Sequence, residues 1–277
     1  MQTAICHYSF NKTCKAKGWS VDDVAAAVQQ AGADAVDFHV RLLPDEPDIE
    51  TQIRDAVANH GLALSGLSCS NHFGQRDEAA SAEHVELVKG WLELAAKVEA
   101  PVSRIFGGAD LPFDQRDNPR EKAAARQRLL RDLEQVVPVA EKLGVVLALE
   151  NHGSFPGLGE EQADLVRTID SPYLRATVDV GNYMQVGGVP HEEVAVAAPY
   201  AAYVHYKDFT RVPDDSKPVG YRCQGATLGD GEVDLKACYQ ALVTAGYDGF
   251  IALEYEGQEE EATGVARSIE AMRASMA

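Results

Sequence analysis

Four times in this chain an amphipathic run stops at a glycine, Gly32, Gly61, Gly144 or Gly246, and a short apolar segment follows closely. Glycine enters the left-handed conformation beyond a helix end without a Cβ penalty, so each glycine reads as a helix stop before a strand. The runs carry the helical period: Val21, Val24, Ala25, Val28 and Ala31 share one face, as do Leu129, Leu133, Val136, Ala140 and Leu143. Ser20 and Asp23 have the spacing of a capping box. The segments LALSGLSCS, VVLALE and GFIALE are continuously apolar rather than alternating, which predicts strands covered on both faces. TAICHYS (3–9), DAVDFHV, PVSRIFGG, RATVDVGN (175–182) and AAYVHYKDF (201–209) complete eight strand candidates. Helical patterns separate them, a short one around His191 to Ala198 among them, and a last helix with Val265, Ile269 and Met272 closes the set. No GxGxxG or GxxxxGK[ST] follows any strand, so a nucleotide-binding open sheet is disfavoured. Eight βα units in 277 residues predict an α/β fold, a (β/α)8 TIM barrel forming a single domain over 1–277.

Charge and cysteine usage narrow the function. Lys and Arg number 25 against 43 Asp and Glu, a net charge of −18 that repels nucleic acid and anionic membranes. There is no charged leader with a long apolar run and no apolar stretch of spanning length, so a cytoplasmic protein without membrane or nucleic-acid partners is expected. The cysteines at 6, 14, 69, 223 and 238 show no CxxC spacing and fit thiols in a reducing compartment. One segment breaks the rhythm: 210–230, rich in Gly, Pro and charge, has no helical period. Following the seventh strand, it is expected to be a loop insertion serving as a lid or wall over the site.

The site of a parallel barrel lies at the carboxyl ends of its strands. Four strand ends present a metal-type side chain: Glu150 in ALENHG, Asp179 in TVDVGN, His205 in YVHYKD and Glu254 in ALEYEG. Three carboxylates and an imidazole form an oxygen-rich set that favours Mn²⁺ or Mg²⁺, with Zn²⁺ or Co²⁺ as alternatives. Buried without a cation, the carboxylates would repel one another. His152 and Lys207 alternate inward with Glu150 and His205 and are expected to touch substrate. Asp37, His39, Asn71 and His7 end earlier strands and are further substrate-binding candidates.

The segments LALENHG, TVDVGNY, YVHYKDF, LGDGEVDL and GFIALEYEG resemble the xylose-isomerase-like barrel family, the sugar isomerase and epimerase group that also contains AP endonucleases. The motif match runs from Val145 to Gly257 and specifies the family better than the substrate. The resemblance implies Glu150, Asp179, His205 and Glu254 as metal ligands, with Glu150 and Glu254 also the acid/base pair. It implies an isomerase or epimerase that abstracts a proton alpha to a carbonyl on a non-phosphorylated sugar or keto-polyol, and a homo-oligomer. Asn182 stands where many epimerases of the family carry a histidine, whereas Arg211 stands where they carry a substrate-binding arginine. Dehydration of a keto-polyol, of inosose or dehydroshikimate type, uses the same enolate and is the alternative. An AP endonuclease would need more histidines, and a non-catalytic sugar-binding barrel would not need all four ligands.

Overall fold

The eight apolar segments all become strands of one ring in the computed structural model, which describes residues 1–277. In chain order the strands are β1 (Gln2–Cys6), β2 (Ala35–His39), β3 (Ala63–Ser68), β4 (Val102–Phe106), β5 (Val146–Glu150), β6 (Leu174–Asp179), β7 (Ala201–Tyr206), β8 (Asp208–Pro213), β9 (Tyr221–Ala226) and β10 (Phe250–Leu253). β1 to β7 and β10 close into a parallel barrel in the order β1-β2-β3-β4-β5-β6-β7-β10, and β10 pairs back onto β1. The helices are α1 (Asn11–Lys17), α2 (Val21–Gln30), α3 (Ile49–Asn59), α4 (Glu78–Lys97), α5 (Pro119–Leu143), α6 (Gly159–Ile169), α7 (Pro190–Ala197), α8 (Leu235–Thr244) and α9 (Glu261–Ser275). None is long and apolar enough to cross a membrane.

Local signals explain the helix ends. Ser20 and Asp23 form the expected capping box on α2. Asn118 accepts from the first turn of α5, with Pro119 at a position where a missing N–H costs nothing. The four glycines that stop helices all have positive φ, from +62° to +81°.

Two layers of packing follow from strand periodicity. Ile5, Val36, Phe38, Leu147, Leu149, Val178, Val204, Ile251 and Leu253 face the helices in a core of 58 buried residues. Each such side chain removed from water contributes about 1.5–3 kcal/mol. The opposite faces point into the barrel, where Ala4, Ala35, Ala148 and Ala252 cluster with Cys6, Val102 and Tyr203. Tyr203 shares a 2.8 Å hydrogen bond with Ser65 Oγ in this inner layer.

The boundaries differ from expectation in three places. The first strand ends at Cys6, and His7–Phe10 forms a 3-10 turn leading into α1. No residue of α1 is buried, so its sequence carries no apolar stripe to reveal it. β7 ends at Tyr206, and Asp208 already belongs to the next strand. Finally, 210–230 is largely regular: β8 and β9 pair antiparallel from Asp208↔Ala226 to Pro213↔Tyr221. Asp214 N–H donates to Gly220 O at 3.0 Å to close the tip.

Asp208 anchors this hairpin. Its buried carboxylate accepts from the N–H groups of Phe209, Gly229, Gly231 and Val233 at 2.9–3.0 Å. Asp208→Ala would leave four donors without their acceptor and should lower the unfolding free energy by about 2–3 kcal/mol. A lower urea midpoint with an unchanged slope is the expected measurement; an unchanged midpoint would contradict the anchor.

Candidate metal and catalytic centre

The inward faces that begin as alanine continue upward as polar groups, because side chains two apart on a strand share a face. Ala148 leads to Glu150, Thr177 to Asp179, Tyr203 to His205 and then Lys207, and Ala252 to Glu254 and then Glu256. On the other side of the ring Val102 leads to Arg104 and Phe106, and Ala35 to Asp37 and His39. Asp179 and His205 are direct neighbours in the β6–β7 register. Glu150 and Glu254 come from strands separated by β6 and β7, so they reach the centre from different sides.

Glu150, Asp179, His205 and Glu254 each offer a ligand atom, and these lie within 4.8 Å of one another. From His205 Nδ1 the distances are 3.8 Å to Glu150 Oε2, 3.9 Å to Asp179 Oδ2 and 3.8 Å to Glu254 Oε2. These four atoms are buried and have no hydrogen-bond partner of good geometry. The other oxygens of two of the carboxylates are committed: Asn182 Nδ2 donates to Glu150 Oε1 at 2.9 Å, and Gly181 and Asn182 N–H donate to Asp179 Oδ1. Behind the imidazole, His205 Nε2 lies 3.6 Å from Cys6 Sγ and 3.8 Å from Asp37 Oδ2, while Ser68 Oγ donates to that aspartate. A carboxylate on that side favours Nε2–H and leaves Nδ1 open to the centre.

Charge makes the same point. Asp37, Glu150, Asp179 and Glu254 are all buried, and two fixed cations are buried with them. Arg104 Nε is 3.1 Å from Glu150 Oε2; Lys207 Nζ is 2.5 Å from Glu254 Oε2 and 3.3 Å from Asp179 Oδ2. Two negative charges remain without a fixed counter-charge. Burial lifts the Asp179 carboxyl to about 7 against the pull of Lys207, with Glu150 and Glu254 adding to the rise. Burial also acts on Glu254, but Lys207, His205 and Arg104 outweigh it and hold that carboxyl far below the usual carboxylate range. Four converging buried atoms without hydrogen bonds and a deficit of two charges fit a divalent ion, and three carboxylate oxygens with one imidazole nitrogen form a suitable donor set.

The remaining expected residues divide by position. Lys207 lies in the centre and also reaches Glu256 at 3.0 Å. His152 lies beyond the end of β5, exposed at the mouth, its ring 4.4 Å from Phe106. His39 is buried and lines the same cavity as Glu254. Asn182 is a ligand holder, through its bond to Glu150. Asn71 is occupied by the backbone of Phe106, donating to its carbonyl and accepting from its N–H at 2.8 Å. Asp37 is inside β2 rather than at its end, fully buried beneath His205. His7 is buried edge-on against Phe38, and burial lowers its pKa to about 4. Arg211 is not brought to the centre. It lies on β8, exposed, with its guanidinium 2.9 Å from Glu232.

Sequence reasoning passed over Arg104, Glu256 and Asn151. Asn151 donates to Asp179 O at 2.9 Å and accepts from Asp179 N–H at 2.8 Å, tying β5 to β6. Arg104 was detectable as a lone charge inside the apolar run PVSRIF.

Comparison with known proteins places the chain in a family of the same fold. Residues 25–275 match the family model described as xylose isomerase-like TIM barrel. The L-ribulose-5-phosphate 3-epimerase UlaE of Escherichia coli (strain UMN026) is 24% identical over 231 residues, covering 80% of this chain and 76% of that protein. Among solved structures, the IOLI protein with a binding zinc atom superposes with a TM-score of 0.79 at 17% identity, covering 100% of this chain and 98% of the other. L-ribulose 3-epimerase gives 0.78 at 16% identity, covering 99% and 94%.

Freshly purified protein should contain about one divalent ion per chain by elemental analysis. Glu254→Gln and His205→Ala should each weaken its binding by at least the ~10–100-fold that losing an outer-shell partner costs. Metal-free protein that keeps full activity in strong chelator would contradict the assignment.

Proposed function

The chain belongs to the xylose isomerase-like TIM barrel family, and from that premise we propose that it is a divalent-metal-dependent sugar isomerase or epimerase. The observation that carries this reading is the convergence of Glu150, Asp179, His205 and Glu254, each with one buried ligand atom that no hydrogen bond occupies. The relatives named as epimerases support the reaction class. The ligand set would hold Mn²⁺ or Mg²⁺, although a zinc-bound neighbour shows that the fold also accepts a softer ion. Bound there, the ion would supply Lewis acidity toward the carbonyl and adjacent hydroxyl of the substrate.

The chain's own residues supply the proton chemistry. One carboxylate of the Glu150 and Glu254 pair takes the hydrogen alpha to the carbonyl as a proton, and the C–H electrons move into an enediolate. The other carboxylate returns a proton to that carbon from the opposite side, which inverts it, or to the neighbouring carbon, which isomerises the sugar. Their strands approach the centre from different sides, as a two-faced transfer requires. Lys207 pairs with Glu254 and Arg104 with Glu150, which aims the two carboxylates, and Asn182 fixes the rotation of Glu150. At the reacting end a neutral ketose or keto-polyol suffices. If the enediolate instead expels a hydroxyl from the next carbon, the same residues act as a dehydratase. The hairpin β8–β9 is proposed as the wall or lid of the site, since Tyr221 Oη reaches Met184 O at 2.7 Å, beside Asn182.

In D2O, a panel of ketoses and keto-polyols should acquire deuterium alpha to the carbonyl, or release water if the enzyme is a lyase. A Glu150→Gln variant shown to retain its ion should lose about 10²–10⁴-fold in turnover. Product formed with the original hydrogen intact would point to a hydride shift and sink the two-carboxylate reading.

The hairpin has its own test. Deleting Asp214 to Gln224 should leave the melting temperature of the barrel close to that of the parent while raising KM or lowering kcat. Unchanged kinetics with the true substrate would remove the lid.

A further inference from the structure

A cavity of about 400 Å³ opens over the centre, and its wall joins Glu254 and Lys207 to Lys15 of α1 and Arg41 of the turn after β2. Its charge runs against that of the chain. The protein carries 25 Lys and Arg against 43 Asp and Glu, whereas this wall carries Lys15, Arg41, Arg104 and Lys207 against only Glu254 and Glu256. Two of these cations are committed, Arg104 to Glu150 and Lys207 to Glu254 and Glu256. Lys15 and Arg41 form no ion pair, on a protein with a net charge of −18. The turn that presents Arg41 is itself held: Arg41 N–H donates to Nδ1 of the buried His39 at 3.2 Å.

Resting on the reading that this centre turns over a ketose or keto-polyol, we propose that Lys15 and Arg41 form a subsite for an anionic group, carboxylate or phosphate, at the end of the substrate remote from the reacting carbon. Uncommitted cations at the mouth of a cleft concentrate an anionic ligand there, and the effect is larger where the rest of the surface repels it. The planar fork of Arg41 suits the paired oxygens of either group, and Lys15 adds a point charge. Asn11 and Tyr8 line the same wall and carry N–H and O–H donors for the remaining oxygens. On this proposal the substrate is charged at that end, and the unphosphorylated sugar expected from sequence holds if the group is a carboxylate.

The test uses the metal-loaded protein and three matched probes: a pentulose, its 5-phosphate, and the analogue with a terminal carboxylate. Binding is read by titration calorimetry, and alpha exchange in D2O is followed separately. At least one charged probe should bind ~10-fold or more tightly than the neutral one, with an advantage that shrinks as salt rises. The one that gains more identifies phosphate or carboxylate as the natural group. The double variant Lys15→Met, Arg41→Met should cut that advantage by about 10–100-fold, the range of a lost charge-assisted contact. Both side chains are exposed, so the substitutions leave the core intact, and a thermal melt verifies this. Equal binding of all three probes, or an equal loss for all three in the variant, would overturn the subsite. Charge-selective binding without alpha exchange would instead remove the proton-abstraction reading and leave the subsite standing.

Discussion

Four carboxylates buried within one ring of strands set the terms for the rest of this structure. Two like charges about 4 Å apart repel by about 4 kcal/mol at the effective dielectric of a protein site. Glu150, Asp179 and Glu254 lie at such distances from a common imidazole, and Asp37 lies behind it. Arg104 and Lys207 answer part of that charge from inside the barrel, and a divalent ion would answer the remainder. Apolar residues of similar volume would serve stability as well or better. A polar interior of this kind is therefore explained by chemistry, and the outer core must carry the fold without it.

The same division shows in how the rim is held. The 58-residue core lies between strands and helices, leaving the upper interior to polar groups. Asn151 and Asn71 play parallel roles there. Each makes a reciprocal pair of hydrogen bonds to the backbone of the neighbouring strand's last residue, Asp179 for one and Phe106 for the other. A side-chain amide thus continues the strand ladder just past its end, one residue on for Asn151 and three for Asn71. Gln162 of α6 adds a bridge from behind, donating to Leu149 O and Thr177 O at 2.5 and 2.7 Å. The ligands stand on backbone fixed from three directions, as a site needing sub-ångström placement requires.

What was legible in the sequence was whatever repeats. The glycine stops and continuous apolar runs fixed eight strands, because a parallel barrel writes one pattern eight times. Glu150, Asp179, His205 and Glu254 were visible because each interrupts such a run at the same point. Features that depend on tertiary meeting were not visible. α1 buries nothing and so lacks a stripe. The β8–β9 hairpin is half-exposed, and its Pro213 and the Gly220 at its tip mimic an irregular loop. Arg211 matched a motif by spacing, but on the hairpin it is exposed and pairs with Glu232. Lys15 and Arg41 are ordinary surface residues in the sequence, and only the closing of β1 beside β2 sets them on one wall.

At Asn182 the sequence resemblance leads to the expectation of a histidine, and the contacts of the asparagine limit what that difference means. Its side-chain amide donates to Glu150 Oε1, its own carbonyl oxygen accepts from Gln185, and its backbone N–H donates to Asp179 Oδ1. Orienting Glu150 needs a donor at that point, and an amide supplies one as well as an imidazole does. An amide cannot exchange a proton near neutral pH, so Asn182 can aim the carboxylate but not relay its proton. Arg104, on the other oxygen of Glu150, is equally unable to give up its charge. Neither of these two neighbours can take up a proton that Glu150 gains, which leaves substrate, water entering from the mouth, or the His205 imidazole 3.8 Å away to receive it. Glu254 differs in having Lys207 beside it and, through that lysine, the more exposed Glu256. Two carboxylates matched in chemical type are thus set in unlike surroundings.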